Sequence, residues 1–198
     1  MSKTTKTILI IVGSLLVLCA CTSAVLLGTG AWSIGRLVQF AEDNTTERPQ
    51  EVSQIASKIA QFDVPEGFNK QYGMQIGNWS LVQYMTADEE TILFVTQFPA
   101  GTSVNVNELM RQIQSNSRNP NSPWYNMDTT LVEQKPVTIH GQDTTLNISE
   151  GTTKEGVFYR MANAEFQGNG EGPALFLLVS PADQWDNQLV EDFIASIQ

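Results

Sequence analysis

The chain has 198 residues and a formal net charge of −10, from 11 Lys/Arg against 21 Asp/Glu, with one His and two Cys. Residues 41–198 hold every acid and a formal charge of −13, which repels phosphate backbones and anionic headgroups and excludes a nucleic-acid partner. A single imidazole and no thiol beyond Cys21 exclude the His/Cys spacings of zinc and copper sites. They also leave a domain that must bury its core without disulfides.

The first predicted element is apolar. Thr7–Gly35 carry no charge over 29 positions. Ile8–Leu27, the most apolar part, spans about 30 Å as a helix, the thickness of a bilayer's hydrocarbon core. Trp32 and Arg36 then suit the headgroup layer. Residues 1–7 therefore read as a cytoplasmic tail and residues 8–36 as one transmembrane helix. Lys3, Lys6 and the terminal amine precede the span, so the positive-inside rule puts the N-terminus in the cytoplasm and the acidic domain outside. Leu18-Cys19-Ala20-Cys21 resembles a bacterial lipobox and opens an alternative, lipid attachment at Cys21 after cleavage. The apolar run continues past Cys21 through "TSAVLLGTGAW", where a lipid-anchored chain normally starts with a polar tether. That continuation favours a retained span. Ala20, Ala24 and Gly28 fall at i, i+4, i+8, a small-residue stripe that lets a second helix approach and marks a face for self-association.

Residues 37–61 read as a spacer, "EDNTTERPQ", followed by a short amphipathic helix. Pro49 suits its first turn, and Val52, Ile55, Ala56 and Ile59 recur at helical spacing. That stripe either packs on the domain or continues a stalk.

Residues 62–198 read as an acidic α+β domain. "KQYGMQI", "NWSLVQYMT" and "TILFVTQFP" are β-rich runs, the last two joined by the acidic turn "ADEE". "NVNELMRQIQSN" is a helix with Asn105 as N-cap, Glu108 three residues on and Leu109, Met110 and Ile113 on its apolar face. A Pro/Asn loop with Trp124-Tyr125 follows. Strands "TTLVEQKPVTI" and "QDTTLNIS" flank His140-Gly141, and "GVFYRMANAEF" and "PALFLLVS" flank "QGNGEG". A final helix, "QWDNQLVEDFIASIQ", has Asp183 as its expected cap and Trp185, Leu189, Phe193 and Ile197 as its stripe. The fold class is α+β, a mostly antiparallel sheet of about six to seven strands packed by helices.

"FDVPEGF" entering the sheet and "PALFLLVSPADQWDNQLVEDFIASI" leaving it are similar to the PsbP-like group of small α+β domains, in which an apolar strand runs into a last helix ending in a Ser-hydrophobic pair, here Ser196-Ile197. The resemblance covers two patches and carries no functional residue. It implies an antiparallel sheet backed by helices and an accessory role at a membrane complex.

No motif for catalysis emerges. Asp88–Glu90 lack the alternating spacing of a calcium loop. His140 sits in a turn with no nucleophile fixed beside it. "QGNGEG" leads into a strand, whereas a phosphate cradle needs a helix N-terminus. The expectation is a single-pass, membrane-anchored, non-catalytic binding or accessory module with no metal and no cofactor. Its partners are the membrane and a protein, with Trp124 and Tyr125 as candidate contacts. The alternative is a lipoprotein-like small-ligand carrier anchored through Cys21.

Overall fold

Alternating and doubly apolar runs set the strands, and two helical stripes set the helices. The computed structural model describes residues 44–102, 127–153 and 155–198. In chain order the elements are β1 (Thr45–Thr46), α1 (Pro49–Ile59), β2 (Phe68–Ile76), β3 (Trp79–Thr86), β4 (Ile92–Gln97), β5 (Asp128–Ile139), β6 (Gln142–Thr152), β7 (Phe158–Gln167), β8 (Pro173–Pro181) and α2 (Asn187–Ser196). The expected span with Ala20, Cys21, Ala24 and Gly28, the helix at Asn105, and Trp124 and Tyr125 lie outside the described residues. Among the described residues no helix is long and apolar enough to cross a membrane.

The strands form one antiparallel sheet in the order β1-β2-β3-β4-β8-β7-β6-β5. Two meanders, β1 to β4 and β5 to β8, meet where β4 pairs with β8, with Val95 opposite Phe176 and Leu93 opposite Leu178. The long link from β4 to β5 therefore joins the centre of the sheet to its edge. The central strands are buried on both faces: every residue of β4 is buried, and so are eight of the nine in β8. This is why "ILFVTQ" and "ALFLLV" read as continuous apolar runs rather than alternating ones.

One face carries α1 and α2. Val52, Ile55, Ala56 and Ile59 of α1 and Val190, Phe193, Ile194 and Ile197 at α2 join Val82, Tyr84, Leu93, Val95, Ala164, Phe176 and Leu178 in one cluster. Each fully buried Val, Leu, Ile or Phe here contributes about 1.5–3 kcal/mol. The α1 stripe is the one expected from spacing, and it packs on the sheet rather than continuing a stalk. The α2 stripe holds in part: Phe193 and Ile197 are buried as expected, and the buried face widens to Val190 and Ile194. Leu189 and Trp185 sit only at the margin. The cap also differs. Asp186, not Asp183, accepts the Gln188 amide at 2.8 Å, because Gln184 N bonds Pro181 O and spends residues 182–184 in a turn after β8.

The sheet has eight strands where six to seven were expected, because Thr45-Thr46 of the supposed spacer pair with Met74 and Gly73. Both edges are blunted against further pairing. β1 is two residues long. β5 carries Pro136, a bulge between Leu131 and Glu133, and a Glu133–Lys135 charge pair at 3.4 Å.

Two turns fix the register. His140 (φ 51) and Gly141 (φ 72) form the two-residue turn between Ile139 and Gln142, with the paired positive φ that suits a hairpin's twist. "QGNGEG" is the β7–β8 hairpin, and it does more than reverse the chain. Asn169 N donates to Ile59 O at 2.7 Å and Asn169 Nδ2 to Ser57 O at 2.9 Å. The hairpin thus caps the carbonyls that end α1. Side chains do not fit there: a Cβ at Gly168 would strike Gln97 Oε1 and Ile59 O, and one at Gly172 would strike Phe98 O and Pro99 O.

Candidate functional site

Among the described residues, a concave surface lies between the Phe62–Gly67 segment and α2. It is a groove of about 470 Å³ lined by Asp63, Pro65, Glu66, Asp186, Gln188, Leu189, Asp192, Phe193 and Ser196. Pro65, Leu189 and Phe193 make its base, and four carboxylates stand around it. Two of those have local duties: Asp186 caps α2, and Asp192 Oδ1 accepts from Gln188 Nε2 at 2.8 Å. Val64, beside the groove, is 38% exposed.

The base of the groove is rigid because it belongs to an aromatic chain. Phe193 stacks edge-on against Phe62 at 5.5 Å and Phe176 at 5.4 Å, and Phe62 meets Tyr84 at 6.1 Å. These geometries favour ring edge against ring face. Burial pushes the Tyr84 hydroxyl up to about 12, so it is a neutral phenol at any physiological pH. Backbone bonds and one side-chain hydroxyl tie the two segments together. Gln61 and Gln198 exchange two bonds, at 3.2 and 2.8 Å, and Asp63 N donates to Ser196 Oγ at 3.1 Å.

The acidic turn between β3 and β4 disperses its charges. Asp88 accepts from the Thr86 hydroxyl at 2.5 Å and the Glu90 amide at 3.2 Å, which together hold its carboxyl below the usual range. Glu89 pairs with Lys70 at 2.5 Å, and Glu90 accepts from Gln184 Nε2 at 2.9 Å. Three neighbours in sequence thus face three different partners. Among the described residues no group of three His, Cys, Asp or Glu is placed to hold a metal ion.

His140 occupies its turn with Nδ1 2.8 Å from Gln167 O. Arg160, on β7, lies with Nε 3.0 Å from Glu150 Oε1, near enough for charge attraction though not aligned for a hydrogen bond, and its guanidinium sits 5.4 Å from the Trp185 ring centre. It braces the start of α2 against the sheet.

Spacing did not point to the groove. Asp63 and Glu66 lie 120 residues or more from Asp186 and Asp192, and no linear pattern joins them. The signal present is the pair of patches "FDVPEGF" and "PALFLLVSPADQWDNQLVEDFIASI", which contain the lining residues of its two walls.

No protein-family model matches the chain, and no curated protein matches its sequence.

Proposed function

We infer that this chain is a single-pass, membrane-anchored binding or accessory module whose acidic sheet domain works outside the cytoplasm without catalysis. The observation that carries the reading is the uncharged run Thr7–Gly35, long enough to span a bilayer, joined to residues 41–198 with a formal charge of −13. A partner is a protein surface presented at the same membrane. The groove beside α2 supports a binding role, because its apolar base and carboxylate rim combine on a braced frame.

The test is crosslinking of the full chain in its native membrane, with photoreactive residues at Val64 and, separately, at Asn78 on the β2–β3 turn. A single protein neighbour captured from Val64 and not from Asn78 is the expected result. Equal, unselective capture from both positions would remove the support that the groove lends. The alternative, a lipoprotein-like carrier anchored through Cys21, instead predicts a small molecule that stays with the chain through purification and appears in native mass spectrometry.

A further inference from the structure

The β7–β8 hairpin contains the only Asn-Gly pair of the chain, Asn169-Gly170. In such a pair the glycine nitrogen, unshielded by any Cβ, attacks the asparagine side-chain carbonyl carbon. The new N–C bond expels ammonia, and water then opens the cyclic imide to aspartate or isoaspartate. No other reactant is needed.

We propose that Asn169 is a deamidation site that the folded hairpin keeps closed, and that its conversion loosens the hairpin's hold on the end of α1. Both reacting groups are engaged elsewhere. Asn169 Nδ2 is held on Ser57 O at 2.9 Å, and the Gly170 amide donates to Gln97 Oε1 at 3.3 Å. Gly170 O in turn accepts from Gln167 Nε2 at 2.9 Å, and Gln97 also donates to Gly172 O. Attack requires the side chain to leave Ser57 and the amide to leave Gln97, so the reaction waits for local opening.

Conversion is then damaging for two reasons. An aspartate loses the donor to Ser57 O and sets a negative charge against the carbonyl end of α1, where the helix dipole is already negative. An isoaspartate lengthens the backbone by one methylene inside a loop whose neighbours, Gly168 and Gly172, already lack room for a Cβ.

The test compares the full chain folded in detergent with the same chain in urea, both in warm, mildly alkaline buffer, with Asn169 conversion followed by peptide mass spectrometry. The expected result is conversion at least about tenfold slower when folded, the protection given by a modest opening cost. Gln97→Ala should speed the folded reaction. Equal rates folded and unfolded would overturn the protection. The second arm is the Asn169→Asp variant, which should melt below the wild type while Asn78→Asp, on an exposed turn, does not. An unchanged melting temperature for Asn169→Asp would overturn the coupling to α1.

Discussion

The amide of Asp63 donates to the hydroxyl of Ser196 at 3.1 Å, across 133 residues of sequence. The same hydroxyl donates to Phe193 O at 2.7 Å, so one small side chain fastens the segment that enters the sheet to the last turn of α2. Ser196→Ala leaves the Asp63 amide without this acceptor. It should lower unfolding free energy by about 1 kcal/mol and the melting temperature by roughly 2–8 °C, measured on the domain by urea and thermal unfolding. A variant as stable as the wild type would show that water replaces the hydroxyl at no cost.

Phe193 has a larger role, because it touches both Phe62 and Phe176 and is 3% exposed. Phe193→Ala should cost about 3–5 kcal/mol, transfer and cavity effects together. A double-mutant cycle of Phe193→Leu with Phe62→Leu should show about 0.5–1.5 kcal/mol of coupling beyond area burial. Additive losses would mean that the rings merely fill space.

Gly172 is fixed by crowding rather than by dihedral angle. Its missing Cβ is replaced in space by the carbonyls of Phe98 and Pro99, which are backbone and cannot rotate away. Gly172→Ala should therefore destabilise the domain by about 1–3 kcal/mol, as overpacking does. Chemical denaturation that finds no loss would show that the β7–β8 hairpin yields easily.

Alkaline pH should weaken the fold through tyrosine. Burial raises Tyr84 from 10.0 to about 12, and Tyr72 and Tyr159 are also raised, chiefly by burial. The unfolded chain ionises these phenols first, so their contribution is complete below pH 10, where both states are neutral. It is lost as pH rises from about 10 towards about 12. Spectroscopic titration of the folded domain should show a late tyrosinate phase that Tyr84→Phe removes. A normal phenol titration for all the tyrosines would contradict the burial of Tyr84.

Much of the fold was legible because the helices carry a helical stripe and the central strands are short, continuous apolar runs bounded by turns. The α1 stripe at Val52, Ile55, Ala56 and Ile59 is buried as its spacing implies, and Pro49 opens the helix. His140-Gly141 turns where the glycine demands it. The misreadings have local causes. Thr45-Thr46 is too short to announce a strand and pairs only because β2 offers an edge. The helix starts at Asn187, after the turn that follows Pro181, so Trp185 precedes α2 and Val190 and Ile194 join Phe193 on its buried face, which spacing does not reveal. The groove was illegible because its acids come from two ends of the domain, brought together by the Gln61–Gln198 backbone bonds, the Phe62–Phe193 contact and the Asp63–Ser196 clasp. Likewise, the grip of Asn169 on the end of α1 is a contact between elements that share no pattern.

The central claim is that the apolar N-terminal segment stays on the chain as a span. Intact mass of the protein extracted from washed native membranes tests it directly. The account predicts a chain that retains residues 1–36 and resists extraction by high salt and alkali. A chain beginning at an acylated Cys21, or one released by the wash, would contradict it.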